Sequence, residues 1–114
     1  MDLFQALAES KRRHIVTLIA QEGQLTAGAI TRKFKISQPA VSQHLQVLRA
    51  SGILHMEKWG RERVYQVEPK ALAEIEDWIH DLKKLWHGRL DRLGALLEVE
   101  SRKTRRHNRG PVRT

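Results

Sequence analysis

Gln38, Ser42, Gln43 and Gln46 fall within one short stretch, "SQPAVSQHLQVLRASG", with Arg49 close behind. Val41, Leu45 and Leu48 are interleaved with them at i, i+4 and i+7, the spacing of one helical face. Burying that apolar face leaves Gln38, Ser42, Gln43, Gln46 and Arg49 projecting on the other side. A helix needed only for packing can carry Lys and Glu outward. Here the outer face is mostly short, uncharged and hydrogen-bonding, which suits a surface that reads something. Glutamine pairs well with the edge of adenine in a major groove, and serine accepts or donates to several bases. Direct readout of base edges is the chemistry these residue types support.

Positioning such a helix requires neighbours, and the flanking sequence supplies them. Leu3, Phe4, Leu7 and Ala8 predict a short amphipathic helix. Ser10 is placed to cap a second helix with His14, Ile15, Leu18 and Ile19 inward, and Gly23 ends it. Thr26 caps a third helix from Ala27 to about Phe34, with Ala27, Ile30 and Phe34 inward. Lys35-Ile36-Ser37 then joins it to the fourth, which carries Pro39 in its first turn and stops at Gly52. Two short helices across that turn form a helix-turn-helix candidate with residues 38–50 as the reading helix.

After Gly52 the period changes. "ILHMEKWGRERVYQV" reads as two strands around Trp59-Gly60-Arg61-Glu62, a hairpin closed by Pro69, with Gly60 free to take the positive φ of a tight turn. From Lys70 to about Glu98 a long helix carries Leu72, Ile75, Ile79, Leu82, Trp86, Leu90, Leu93 and Leu97 in one stripe, with Trp78 and Leu85 in a second. A stripe this wide cannot be buried against a domain this small, so the helix is expected to pair with a second copy.

The net charge of +8 is unevenly spread. Residues 102–114 hold six basic side chains and no acids, a composition that predicts a disordered tail beyond a folded domain of residues 1–100. Residues 32–63 carry seven basic groups against two acids, and residues 68–101 five against eight. A basic middle beside an uncharged hydrogen-bonding face points to a polyanion. The chain contains no cysteine, so thiolate metal sites, disulfides and thiol nucleophiles are excluded. No Ser/His/Asp set, phosphate-cradling glycine loop or carboxylate pair in a cleft emerges, and no enzyme is expected. Neither a signal peptide nor a membrane-spanning run is read, so the expected location is the cytoplasm.

In combination, Leu7-Ala8, Arg12-Arg13-His14-Ile15, Ile36-Ser37, Val41-Ser42-Gln43-His44-Leu45, Leu48, Gly52-Ile53-Leu54, Gly60-Arg61 and Tyr65 resemble the ArsR family of winged helix-turn-helix transcriptional regulators over residues 3–98. Ser10-Lys11 stands where the family usually has Asp-Pro. The Cys-x-Cys pair of the metal-sensing branch is absent, since the helix before the reading helix is "TAGAITRKF". The resemblance implies a mainly α fold with a small β-hairpin wing and a long C-terminal dimerisation helix. It also implies a homodimer that represses by occupying an inverted-repeat operator in double-stranded DNA. The expected DNA-contacting set is Thr26, Ser37, Gln38, Ala40, Ser42, Gln43, His44, Gln46, Arg61 and Arg63. The expected dimer interface is Phe4 with Leu72, Ile75, Ile79, Leu82, Trp86, Leu90, Leu93 and Leu97.

Other readings stay open at the level of sequence. Asp77, His80, Asp81 and His87 lie on the long helix where relatives lacking thiolates sometimes place interfacial zinc. His80 and His87 are two turns apart, about 10 Å along the axis, so one ion cannot bind both within one chain. A site shared between subunits is the alternative, and a solvated helix face accounts for the same residues without a metal. No metal or cofactor is assigned. A winged helix that binds protein instead of DNA is a further alternative, although such a module has no need of Arg61, Arg63 and the Gln/Ser face together. Neither the operator nor any small-molecule effector is specified.

Overall fold

Helix caps set most of the element boundaries. The computed structural model describes residues 1–93, with side chains described as far as Leu90. Asp2 opens α1 (Leu3–Ala6) with a reciprocal cap: its carboxylate accepts the Gln5 N–H at 2.8 Å, and the Gln5 amide oxygen accepts the Asp2 N–H at 2.9 Å. α2 spans Ser10–Glu22 and ends at Gly23, whose φ of 87° a residue with a Cβ rarely adopts. Thr26 caps α3 (Ala27–Lys33) and Ser37 caps α4 (Gln38–Ala50), as expected from their side chains. β2 (Leu54–Trp59) and β3 (Glu62–Val67) form the wing, and α5 (Pro69–Leu93) follows with Pro69 as its first residue.

Three sequence expectations change. Ser10 does not cap α2: it is the first helical residue, and Glu9 stands before it with no capping hydrogen bond from its side chain. His14 is exposed, whereas Ile15 and Ile19 are fully buried. It lies about 100° around the helix from Ile15, far enough to keep the imidazole in water. The wing is also more than a hairpin, because Leu25–Thr26 forms a third strand, β1. The sheet order is β1-β3-β2, antiparallel throughout, with Leu25 opposite Tyr65 and Thr26 opposite Val64.

By compactness the chain divides into a unit of Met1–Ile75 and a second unit beginning at Glu76. The core of the first is Leu3, Ala6, Ile15, Ile19, Ile30, Val41, Leu45, Leu48, Ile53, Leu54, Tyr65 and Ala71, with Ala27, Phe34 and Ile75 packed partly buried against it. Arginines finish the short α1. Arg12 Nε donates to the Ala6 carbonyl at 2.6 Å, and Arg13 Nη1 donates to those of Leu7 and Ala8 at 2.8 and 3.0 Å. These bonds satisfy carbonyls at the end of a four-residue helix that could not persist alone.

In the second unit α5 continues as a helix whose Ile79, Leu82, Leu85 and Trp86 are all exposed; Leu85 is 74% exposed. Leu82, Leu85, Trp86 and Arg89 line one shallow concavity there. Leu90 is half-buried, Leu93 lies in the helix, and Leu97 and the basic tail fall outside the described residues. Asp77, His80, Asp81 and His87 are exposed. No group of three or more His, Asp or Glu able to hold a metal ion occurs among the described residues. None of the described helices is long and apolar enough to cross a membrane.

Leu48, at 0% exposure, anchors α4 to this core. Leu48→Ala should lower unfolding free energy by about 2–5 kcal/mol, and Ser37→Ala by about 1 kcal/mol through loss of the cap. Urea unfolding followed by circular dichroism measures both. An equal, small effect of the two substitutions would contradict the core placement.

Candidate nucleic-acid interface

Burial fixes the rotation of α4. Val41, Leu45 and Leu48 are 0–2% exposed, and Gln38, Ser42, Gln43, Gln46 and Arg49 consequently face outward. The Ser37 hydroxyl oxygen accepts the Ala40 N–H at 3.3 Å, and the Thr26 hydroxyl oxygen accepts the Ala29 N–H at 3.1 Å. In each the cap occupies an acceptor and leaves the O–H hydrogen available to an outside acceptor such as a phosphate oxygen. Ala40, in the first turn, is half-buried.

His44 departs from the expected DNA-contacting set. Its side chain is only 16% exposed, and its Nε2 stands 3.5 Å from the Glu9 carboxylate. Glu9 in turn binds Arg12 at 2.8 Å. The other ring nitrogen, Nδ1, is buried without a hydrogen-bond partner among the described residues. On α4 the ring lies on the flank of the buried stripe, so it serves the contact between α4 and the start of α2 and presents no free edge for reading.

The wing is built for a tight turn. Gly60 has φ of 66° and Arg61 does not share the positive φ, the pattern of a II′ hairpin with glycine first. Trp59 pairs with Glu62 and Lys58 with Arg63. Two cations directly opposite one another in an antiparallel ladder repel, an arrangement that an incoming polyanion relieves. Trp59 is half-exposed, and its indole N–H donates to Glu57 at 3.0 Å, so the ring is tied along the outer face of β2. His55 meets the other oxygen of the same carboxylate at 3.1 Å.

Strand β1 joins these parts. By pairing Thr26 with Val64 it stitches the start of α3 to the wing strand β3. The result is a polar cleft lined by Thr26, Gly28, Arg32, Gln38, Ser42, Arg61, Glu62 and Arg63. Five of the expected residues (Thr26, Gln38, Ser42, Arg61 and Arg63) meet there, while Gln43 and Gln46 stand on the exposed side of α4 outside it. Arg32 is a member that the motif reading missed. It folds back over the first turn of α3, where a Cβ at Gly28 would stand 3.4 Å from its Nη1. It belongs to the basic run of residues 32–63, which is the available signal. Three guanidiniums beside amide and hydroxyl groups form a surface that can hold phosphates by charge and meet base edges by hydrogen bonding.

The chain is similar to known proteins in sequence and in fold. Residues 9–55 match the family model described as bacterial regulatory protein, arsR family. An HTH-type transcriptional regulator of Mycobacterium tuberculosis, Rv2034, is 38% identical over 97 residues, covering 85% of this chain and 87% of that protein. The transcriptional repressor SdpR of Bacillus subtilis is 30% identical over 78 residues, 68% of this chain and 86% of its own. Among solved structures, an ArsR-like transcriptional regulator from Rhodococcus sp. RHA1 superposes with a TM-score of 0.70 at 26% identity, covering 79% of this chain and 84% of that one.

The Glu57 carboxyl is held below its ordinary value of 4.5 by the hydrogen bond from Trp59 and, secondarily, by His55. A carboxyl depressed on folding stabilises the fold above its unfolded value, and that contribution fades as pH falls through the folded one. Carboxyl-detected NMR should therefore place the Glu57 midpoint below 4.5, with the Trp59 indole N–H resonance moving in step. Trp59→Phe should bring the midpoint back up. An unchanged midpoint in that variant would refute the pairing as its cause.

Proposed function

The chain belongs to the ArsR family of bacterial regulatory proteins and is a transcriptional regulator rather than an enzyme; we propose that it is a homodimeric repressor that reads an inverted-repeat operator without a thiolate metal site. The observation that carries this reading is the convergence of Gln38 and Ser42 of α4 with Arg32, Arg61 and Arg63 in one cleft. Phosphate contacts position a protein on the duplex but carry no sequence information, and base-edge contacts supply it. The division of labour follows from the side chains. Gln38, Ser42, Gln43 and Gln46 read bases; Arg32, Arg61, Arg63 and the hydroxyls of Thr26 and Ser37 hold the backbone. Ala40, half-buried in the first turn of α4, is a close-approach position in this reading.

A single reading helix spans only a few base pairs, so useful specificity calls for two, set about one helical turn of DNA apart. The apolar stripe of α5 supports a second copy as the occupant of its exposed face. Leu72, Ile79, Leu82 and Trp86 are each 40–57% exposed, a concentration that soluble monomers rarely leave in water. Phe4, Leu90, Leu93 and Leu97 complete the proposed interface. Ile75 divides its role, since it already packs against the core of its own domain.

Two outcomes test this function. Sedimentation equilibrium at micromolar concentration should give a dimer for the wild type and a monomer for Leu82→Asp; a dimeric variant would place the interface elsewhere. On DNA, Gln43→Ala should cost about 1–3 kcal/mol on the operator and little on scrambled duplex. Arg61→Ala should weaken both and flatten the slope of log affinity against log salt by about two units per dimer. Competition titrations against the DNA upstream of its own gene, at several salt concentrations, measure these quantities. Equal weakening of both duplexes by Gln43→Ala would mean that other residues do the reading.

A further inference from the structure

Glu62 is out of place in a surface that holds phosphates. It lines the same cleft as Arg32, Arg61 and Arg63, together with Gln38 and Ser42, and is the one acid in that lining. Exposed arginines beside a carboxylate commonly form ion pairs, yet Glu62 makes no salt bridge with any described residue. It forms no side-chain hydrogen bond among them either. The other wing carboxylate, Glu57, is engaged by Trp59 and His55, so within the wing the unpaired acid is the one that lines the cleft. Glu62 therefore does not hold the arginines in position by contact. Its charge lies at the lining of the volume that a phosphate group would enter.

Resting on the reading of this cleft as a DNA-binding surface, we infer that Glu62 is an electrostatic brake, a residue that lowers affinity for every nucleic-acid backbone. Like charges a few ångströms apart in a partly screened cleft repel appreciably, and the repulsion falls with added salt. The brake acts on phosphates, whatever the bases, so it scales operator and random binding together. Discrimination stays with the glutamine and serine side chains of α4. The consequence is regulatory. In a chain carrying a net charge of +8, one carboxylate per wing offsets part of the attraction to any DNA backbone.

Titrations of the full chain test this on two fluorescent duplexes: the tightest binder selected from a random 30-base-pair pool, and a scrambled version of it. Glu62→Gln, which removes the charge and keeps the shape, should bind both duplexes about threefold or more tighter, by factors agreeing within about twofold. Its slope of log affinity against log salt should be steeper by about one unit per bound chain. Glu62→Asp, which keeps the charge, should remain near wild type. Loss of binding on the selected duplex alone would overturn the brake and make Glu62 a reader of a base amine. Weaker binding to both would make it a support for the arginines, and unchanged binding to both would also refute the proposal. A wild-type chain that binds neither duplex at low salt would instead refute the DNA reading itself.

Discussion

The burial of Val41, Leu45 and Leu48 is the constraint on which the interface depends. These three residues set the rotation of α4, because turning it toward Ser42, Gln46 and Arg49 would expose leucines and bury a glutamine without a partner. Turning it the other way would expose the same leucines in exchange for Ala40, His44 and Val47. That setting directs Gln38 and Ser42 toward the wing side and Gln43 and Gln46 outward. The outward placement of the amide and hydroxyl side chains of α4 is thus a consequence of core packing, and the two cannot be altered independently. Ser37 and Pro39 fix where the helix begins, which fixes which residues occupy its first turn.

A second dependence runs through the short strand β1. Two residues, Leu25 and Thr26, pair with Tyr65 and Val64 and join the helical half of the domain to its wing. Thr26 is both the last residue of that strand and the cap of α3, so one residue sets the spacing between Arg32 on the helix and Arg63 on the hairpin. Close to this junction Gln66 donates to Gln24 at 2.9 Å, a further tie across the same seam. Without β1 the cleft would be two separate surfaces. With it, cations from α3 and from the wing face one volume alongside the amide and hydroxyl groups of α4.

The sequence was most legible where periodicity and caps coincide. The α3–α4 pair, the Ser37 and Thr26 caps, the Gly60 turn and the α5 stripe each carry two or more concurrent signals. Strand β1 was not legible, since a two-residue strand has no period and takes its partners from residues about forty positions away. The inward orientation of His44 was hidden for a related reason. It depends on Glu9, thirty-five positions earlier, and on the arginine that Glu9 also binds. Arg32 is visible only as a member of a charge run, because nothing local distinguishes a cation that lines a cleft from one in open solvent. The cap expected at Ser10 and the inward His14 differ from the structure because local pattern carries no information about the neighbouring helix.

We place the meeting of this regulator with DNA on one face of α4, seated beside the arginine-lined cleft. Amide chemical-shift mapping of the full, isotope-labelled chain during titration with a selected 30-base-pair duplex tests it most directly. The largest changes should cluster at residues 26–32, 37–46 and 58–63, with those of 37–46 differing between the selected and scrambled duplexes. Changes confined to α5, or a response of α4 identical for both duplexes, would contradict it.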